Sequence, residues 1–332
     1  MVVMRQLLLG IVSVASLRPS SGAAAQSKVA DGWRDSVRHK VGYVTVVPGV
    51  RIHYLDFGGT GPPVVLLAGL GNTAHAFDDF APRLTDRFRV VAITRRGFGE
   101  SSHPRTGYDT QRLVEDIRQV ADRLHLGRLI LIGHSIAGEE MTRFAASDPD
   151  RIAKMVYLDA AYDRVAADSI LAVVFPVPPN VPSAPAPTGA DTATPSSYVA
   201  FVHRTRGVNI PEADIRTRFR YDGWNEVSNF AYQAIRSEHP RYRAVRASAL
   251  AVYAVTDTVT QLEPWQRDDA EHAAAWQEVI RGVESVSRTL RAQFRVEADH
   301  GAVLEIHGAH HWIFVSNRDE VVSAVRRFLI VP

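Results

Sequence analysis

Residues 129–138 read LILIGHSIAG, and this stretch decides how the rest of the chain is interpreted. The apolar residues at 129–132 are typical of a buried β-strand, and small residues flank Ser135 on both sides. A strand that leads through Gly133 into a serine matches the G-x-S-x-G nucleophile elbow, with Ala137 in place of the second glycine. The alternative is an ordinary turn built from serine and glycine, and the remaining sequence has to distinguish the two.

The composition is that of an ordinary globular protein. The chain has 332 residues, of which 46% are hydrophobic and 22% are charged, and its formal net charge is +2. The near balance of 38 basic and 36 acidic residues argues against nucleic acid as a partner, because a nucleic-acid-binding protein concentrates basic residues on one face. The sequence contains no cysteine, which excludes disulfides, thiolate zinc sites and cysteine nucleophiles.

Residues 1–25 have the layout of a secretory signal peptide. Arg5 precedes an apolar run at residues 7–17, and the small residues 23–25 provide a cleavage site after Ala25. The apolar run is too short to cross a bilayer as a helix, so we expect no stable membrane insertion. The prediction is a secreted or periplasmic protein, and the alternative is a buried N-terminal helix or an uncleaved anchor.

Strand-like and helical patterns alternate through most of the remaining chain. This alternation predicts an α/β fold with a mostly parallel sheet that is covered by helices on both faces. A hairpin at Pro48-Gly49 comes first, and amphipathic helices are predicted at residues 110–126 and 316–329. The predicted strands after the hairpin are residues 64–67, 90–93, 129–132, 155–158, 250–255 and 302–306.

Residues 163–248 interrupt the alternation. They contain a proline-rich stretch at 176–195 and short helical patterns, but no strand-like run. Because an insertion of this length in a compact domain is usually functional, we predict a helical cap at 163–248, inserted into a core domain formed by residues 41–162 and 249–332.

Arginine is unusually frequent in the second half of the predicted cap. Residues 201–247 carry nine arginines against five acidic residues. The ordinary explanation is a solvated helical face. If some of these arginines face the active-site cleft, they favour small substrates with an anionic end.

A serine hydroxyl becomes a useful nucleophile when a general base removes its proton and an acid orients that base. His310 and His311 lie between the last predicted strand and the last predicted helix, and we favour His311 as the base. Two acidic residues follow predicted strands, Asp257 after residues 250–255 and Asp159 after residues 155–158. We favour Asp257 as the acid and keep Asp159 as the alternative.

At this point the chain resembles the α/β-hydrolase superfamily from about residue 43 to residue 329. The segments that carry the resemblance are, in family order, VVLLAGLGNT (64–73), VVAITRRGFGESS (90–102), LILIGHSIAG (129–138), AVYAVTD (251–257) and GAHHW (308–312). The resemblance implies a serine hydrolase of the esterase type with a helical cap. It also implies an oxyanion hole formed by the backbone N–H groups of Leu70 and Ile136, and no cofactor.

The nucleophile narrows the chemistry within this superfamily. Epoxide hydrolases and haloalkane dehalogenases of the fold carry aspartate at the elbow, whereas this chain carries Ser135. The serine favours an acyl-enzyme route with a small-molecule ester as substrate. A peptidase, a lactonase and a cofactor-free perhydrolase are the alternatives within the fold, and the sequence does not indicate the oligomeric state.

Three readings from other classes compete. GLGNTA at residues 69–74 matches a dinucleotide-binding fingerprint, and Arg95 with Arg96 could bind the 2′-phosphate of NADP in an oxidoreductase. That reading leaves Ser135 and His311 without a role. A non-catalytic binding protein would be expected to lose a triad residue, yet all three positions are filled. A zinc site is not expected, because a group of four histidines lies around a strand without a nearby carboxylate ligand: His300, His307, His310 and His311.

Overall fold

The computed structural model describes residues 32–174, 181, 184–220, 230, 233–234, 237–256 and 262–331. The predicted signal peptide and Asp257 lie outside the described residues, as does part of the proline-rich stretch.

An eight-stranded sheet forms the centre of the molecule, with the strand order β1-β2-β4-β3-β5-β6-β7-β8. The first two strands pair antiparallel with each other, β2 pairs antiparallel with β4, and all other neighbours are parallel. The strands are β1 (Lys40–Val47), β2 (Val50–Gly58), β3 (Pro63–Leu67), β4 (Arg89–Ile93), β5 (Leu129–His134), β6 (Ile152–Leu158), β7 (Ser248–Val255) and β8 (Gly301–His307).

Helices cover both faces of this sheet. Successive side chains of a strand point to opposite faces, so Val65 and Leu67 belong to one buried core cluster while Val64 and Leu66 belong to the other. Apolar residues on both faces are what a parallel sheet between two helical layers requires. The α-helices whose two ends lie within the described residues are α1 (Thr110–Arg123), α2 (Ala137–Ser147), α3 (Arg164–Val174), α4 (Pro195–Arg206), α5 (Glu212–Arg220), α6 (Ala270–Glu297), α7 (Ile313–Ser316) and α8 (Arg318–Ile330).

The segment between β6 and β7 supplies the predicted cap region. Its described residues include α3, α4, α5 and a short 3-10 helix at Tyr242–Ala244, and no strand. We call residues 163–247 the cap segment. No helix among the described residues combines the length and the apolar character that crossing a membrane requires.

The predicted fold class is confirmed, and the differences lie at element ends. The first amphipathic helix ends at Arg123, before residue 126, because His125 has a φ of +54°, a left-handed conformation that a helix cannot contain. The last helix begins at Arg318, since residues 313–316 form the separate short helix α7. The hairpin is present at Pro48-Gly49, where Gly49 has a φ of +79°.

Candidate active site

Ser135 lies in the tight turn between β5 and α2. It is almost completely buried and its φ is +55°, an uncommon conformation for a residue with a side chain. The chain is closely packed on either side of it. A Cβ atom at Gly133 would collide with the side chain of Met141, and one at Gly138 would collide with the carbonyl oxygen of Ala160. Ala137 therefore occupies the second small position of the elbow, and the next residue, Gly138, allows the helix to lie close to Ala160.

The predicted base, His311, and the alternative acid, Asp159, are in direct contact. His311 Nδ1 lies 2.7 Å from Asp159 Oδ2, and both side chains are largely buried. A carboxylate accepts the proton of Nδ1, so the other ring nitrogen of His311, Nε2, is the one available as a base. This arrangement is that of an imidazole oriented by an acid.

Asp159 itself is held firmly. Its φ is +47°, and its second carboxylate oxygen accepts a hydrogen bond of 2.6 Å from the hydroxyl of Tyr162 and one of 3.1 Å from the backbone N–H of Ala254. Burial raises the pKa of Tyr162 well above its usual value, so the phenol stays protonated and continues to donate. Every oxygen of the carboxylate thus has a donor.

The two histidines that the sequence left adjacent have different partners. His310 Nε2 lies 3.1 Å from Glu263 Oε1, and Glu263 also accepts hydrogen bonds from Arg206 and Trp265. The structure therefore brings His311, and not His310, to the acid beside the elbow. Asp257, the acid favoured from the sequence, lies outside the described residues, and the alternative acid Asp159 is the one in contact with His311.

His134, the residue before Ser135, contacts His311, the predicted base. Its ring centroid lies 4.5 Å from that of His311, and its Nε2 lies 3.0 Å from the backbone oxygen of His311. Complete burial lowers the pKa of His134 far below its usual value, so the ring is neutral and its Nε2–H donates to that carbonyl. A histidine in this state positions the backbone of His311 and does not act as a second base.

The predicted oxyanion-hole residues lie on the two loops that flank Ser135. Ile136 precedes the first residue of α2, where the amide groups of a helix have no intrahelical acceptor. Leu70 follows Gly69, where an added Cβ would lie 2.6 Å from His134 Nδ1 and 3.2 Å from the Cβ of Ser135. The two amides thus belong to segments that meet at Ser135.

The arginines proposed for a dinucleotide site have structural roles. The side chain of Arg95 is buried and forms an ion pair with Glu140. It also donates a 2.9 Å hydrogen bond to the backbone oxygen of Ala68, just before residues 69–73, which we call the oxyanion loop after the predicted role of Leu70. Arg96 is buried in an ion pair with Asp116. Neither guanidinium is available for a 2′-phosphate, and the strand order also differs from the 3-2-1-4-5-6 order of a dinucleotide-binding sheet.

A family model of the alpha/beta hydrolase fold matches residues 62–260, more than half of the chain. The chain belongs to the α/β-hydrolase fold family. This α/β hydrolase is 31% identical over 134 residues to the soluble epoxide hydrolase of Corynebacterium sp. (strain C12), a match that covers 40% of the chain and 45% of the relative. It is 37% identical over 123 residues to the non-heme chloroperoxidase of Streptomyces lividans, covering 36% and 45% respectively. The matches thus span less than half the length of these two relatives.

Solved structures resemble the α/β hydrolase over nearly its whole length. The crystal structure of E-2-(acetamidomethylene)succinate hydrolase superposes with a TM-score of 0.61, covering 89% of this chain and 100% of that one, at 21% sequence identity. At this level of identity the similarity concerns the fold. The family membership supports a hydrolase, while the relatives' names cover several different reactions.

The cap segment of the α/β hydrolase is tied to the oxyanion loop by one buried carboxylate. Asp214 of α5 accepts hydrogen bonds of 2.7 Å from Asn72 Nδ2, 2.7 Å from the backbone N–H of Thr73 and 2.8 Å from the hydroxyl of Thr73. Asn72 in turn accepts from the indole N–H of Trp312, the residue after the base. This role could not be predicted from the sequence, because Asp214 lies in no motif and is 141 residues away from Thr73 in the chain.

A small cleft lies between the cap segment and Trp312. Its walls include the side chains of Phe201, Arg206, Arg218 and Trp265. Arg206 is engaged by Glu263, whereas Nη1 of Arg218 is buried without a hydrogen-bond partner, although Nε of the same residue lies 3.3 Å from Asp214. The cleft therefore contains a guanidinium nitrogen, Arg218 Nη1, that makes no hydrogen bond with the residues the structure describes.

Another buried ion pair, between Glu139 and Arg164, lies behind the elbow. Glu139, four residues after Ser135 on α2, accepts a 2.7 Å hydrogen bond from Arg164 at the start of the cap segment. Burial raises the pKa of Glu139 to about 7 even though Arg164 opposes the shift. Desolvation thus outweighs the attraction between the two charges.

Proposed function

We propose that this α/β hydrolase is a serine hydrolase that cleaves small or medium carboxylic esters through an acyl-enzyme intermediate. Ser135 is the nucleophile, His311 the general base, Asp159 the acid and the amides of Leu70 and Ile136 the oxyanion hole. The observation that carries the proposal is the 2.7 Å contact between His311 and Asp159, next to an elbow serine with a φ of +55°. Asp159 replaces Asp257 as the proposed acid because of this contact.

The proposed reaction has two stages. In the first, Ser135 Oγ attacks the ester carbonyl while His311 Nε2 takes the hydroxyl proton, and the oxyanion is stabilised by the two amides. The tetrahedral intermediate collapses, and the alcohol leaves with the proton from His311. In the second, His311 deprotonates a water that attacks the acyl-enzyme, which releases the carboxylic acid and regenerates Ser135. Asp159 stabilises the imidazolium in both stages.

The relatives' names raise two other reactions. Epoxide opening in this fold proceeds through an elbow aspartate, and the residue at that position here is Ser135. Perhydrolysis would use the same acyl-enzyme with hydrogen peroxide in place of water, giving a peracid. The similarity to a non-heme chloroperoxidase makes it the second candidate. Peptide and lactone substrates would follow the same acyl-enzyme route.

The test is active-site labelling combined with a substrate panel. A fluorophosphonate probe should label the wild-type protein and not Ser135→Ala, and ester turnover should be lost with the label. His311→Gln should lose about 10⁴–10⁶ in kcat, because triad residues act as a unit. His310→Gln is the matched control and should keep most of the activity. Unchanged ester turnover by Ser135→Ala would refute the proposal, and esters, amides, lactones and hydrogen peroxide should be compared in parallel.

A further inference from the structure

Two histidines and two aspartates converge at a site away from the proposed triad. Asp35 and His39 lie in the segment before β1, and His75 and Asp78 lie at the short 3-10 helix Ala74–Phe77 that follows the oxyanion loop. Asp35 Oδ2 is 3.4 Å from His75 Nδ1 and 3.7 Å from His39 Nε2. Asp78 Oδ2 is 3.0 Å from the same nitrogen of His75.

Hydrogen bonding within the protein leaves this cluster incompletely satisfied. Asp35 Oδ2, Asp78 Oδ1 and His39 Nδ1 are all buried and have no hydrogen-bond partner. The side chains of Asp78 and His39 are only 2% and 7% exposed. Because a buried polar atom without a hydrogen-bond partner is costly, the two carboxylate oxygens and the one imidazole nitrogen in this cluster together indicate that a further group belongs there.

The spacing of the donor atoms fits a small divalent cation. Tetrahedral zinc with bonds of about 2.0–2.1 Å holds neighbouring donor atoms about 3.3–3.4 Å apart. The distances of 3.4 Å and 3.7 Å from Asp35 Oδ2 are close to this value, and the donor atoms of Asp35, His39 and His75 all lie within 4.8 Å of one another. The rings of His39 and His75 are 5.3 Å apart and nearly perpendicular, so both can present a nitrogen to one point.

We propose that Asp35, His39 and His75 bind a divalent metal ion, with zinc favoured by the two imidazoles. His75 Nδ1 gives up its proton to solvent, or passes it to its other nitrogen, when the ion binds. Asp78 Oδ2, which lies 3.0 Å from His75 Nδ1, then loses the donor that it has in the metal-free arrangement. The sequence offered no hint of this site, because Asp35 and His75 are 40 residues apart and belong to no metal-binding motif.

The ion would have a structural role beside the oxyanion loop. Thr73, which holds Asp214 of the cap segment, also accepts a hydrogen bond from the backbone N–H of His75. A metal bridging Asp35 and His75 would therefore fix the segment before β1 to the far end of this loop. It would stabilise the folded state by an amount that rises with the logarithm of the free metal concentration above the Kd, and it would take no part in the reaction.

A second group of possible ligands provides a matched control. Asp268, Asp269 and His272 also bring their donor atoms within 4.8 Å of one another, but the two aspartates have side chains 59% and 53% exposed. Asp269 already caps α6 by accepting a 2.8 Å hydrogen bond from the backbone N–H of His272. This group has none of the buried, unpartnered atoms that distinguish the first.

The experiment is a zinc titration of the EDTA-treated, full-length protein by isothermal titration calorimetry. Wild type and the control Asp268→Asn/His272→Gln should bind one Zn²⁺ per chain, whereas Asp35→Asn/His75→Gln should lose at least about 100-fold in affinity. Addition of zinc should raise the Tm of wild type and control only. Because the first double variant could fail to fold, the wild type should also be loaded with Co²⁺, whose visible absorption is intense in tetrahedral coordination by His and Asp.

Two results would overturn the proposal. One is the absence of saturable zinc binding together with an octahedral, weakly absorbing Co²⁺ spectrum. The other is loss of binding in the Asp268/His272 variant instead of the Asp35/His75 variant. In either case the cluster is a metal-free network in which a protonated His75 lies between the carboxylates of Asp35 and Asp78.

Discussion

Ser135 and Asp159 share an uncommon backbone conformation at equivalent places in the fold. Ser135 directly follows β5 and has a φ of +55°, and Asp159 directly follows β6 and has a φ of +47°. The left-handed conformation turns the chain sharply at the carboxyl edge of the sheet, and it persists because the surrounding contacts hold it. The Ser135 amide donates to the backbone oxygen of Leu158, so the two turns also support each other.

The identity of the acid is tested by comparing the two candidate aspartates. Asp159→Asn should lower kcat about 10⁴-fold, because asparagine presents a donor where the Nδ1–H of His311 needs an acceptor. Asp257→Asn should change kcat by less than about 10-fold. Steady-state kinetics on one activated ester are sufficient, with circular dichroism to verify folding. A large loss in the Asp257 variant with activity retained in the Asp159 variant would reverse this assignment.

At the residue scale the sequence predicted more of the nucleophile than of the acid. Ser135 is identifiable because the elbow is a local pattern within ten residues. Asp159 and Asp257 both follow strands and both suit the order of serine, acid and histidine, so local pattern cannot separate them. The contact that favours Asp159 joins residues 152 positions apart, and such a contact depends on the packed sheet.

The connection between α5 and the oxyanion loop predicts a catalytic effect of a cap residue that does not belong to the triad. Asp214→Asn should lower both Tm and kcat, because an amide nitrogen faces the donors of Asn72 and Thr73 and the loop that carries Leu70 loosens. A loss of about 1–3 kcal/mol in the free energy of unfolding is expected for a buried, charged acceptor.

The control for this effect is Glu212→Gln on the same helix, which removes an i,i+4 pair with Arg216 and should have little effect on kcat. Thermal unfolding and kcat should be measured for both variants. Equal kcat values in the Asp214 variant and wild type would show that the loop does not depend on the cap segment.

The unpartnered donor of Arg218 predicts a preference for substrates with an anionic end. Several cap-segment arginines are already paired, Arg204 with Asp191, Arg206 with Glu263 and Arg218 itself with Asp214 through Nε, so the excess of arginine overstates the available positive charge. Arg218→Met should lower kcat/KM for carboxylate-bearing esters by about 10–100-fold, the value of one charged hydrogen bond, and leave neutral esters of equal size nearly unchanged.

Arg204→Met is the exposed control for this preference. If anionic and neutral esters respond equally to the Arg218 substitution, the cleft does not select charge. If both variants weaken anionic esters alike and the effect disappears at high salt, the preference is long-range steering by the segment as a whole.

Element types were easier to predict than element ends. The alternation of apolar runs with amphipathic stretches located the strands after the hairpin in the sequence, since apolar residues on both faces of β3 leave few alternatives, but it did not predict their order in the sheet. The ends were displaced where a single residue departs from regular geometry, as His125 does after α1. The packing of residues 163–247 against the core domain could not be predicted, because it depends on isolated buried polar contacts such as the one made by Asp214.

The predicted signal peptide implies that residues 1–25 are removed when the protein is exported. Mature protein from the native host should begin at or near Gln26 and be found outside the cytoplasm, because residues 1–25 have the charge, length and small-residue pattern of an exported leader. N-terminal sequencing of protein from fractionated cells measures this directly. A full-length chain that retains Met1 in the cytoplasmic fraction would contradict the prediction.

Stability of the whole molecule should depend on pH through Glu139. Burial raises the pKa of this carboxyl to about 7 in the folded protein, whereas an unfolded glutamate has a pKa of about 4.3. Between these values the folded state holds a proton that the unfolded state releases, so the contribution of Glu139 to the free energy of unfolding falls as pH rises and is constant above about pH 7.

The substitution Glu139→Gln imitates the protonated form of this carboxyl. It should match wild type near pH 4.5 and exceed it at pH 8 by about 1–3 kcal/mol. Urea unfolding at a series of pH values measures the difference, and Glu115→Gln on the outer part of α1 should show no such gain. A Glu139 variant that is less stable than wild type at pH 8 would mean that attraction to Arg164 outweighs the cost of burying the charge.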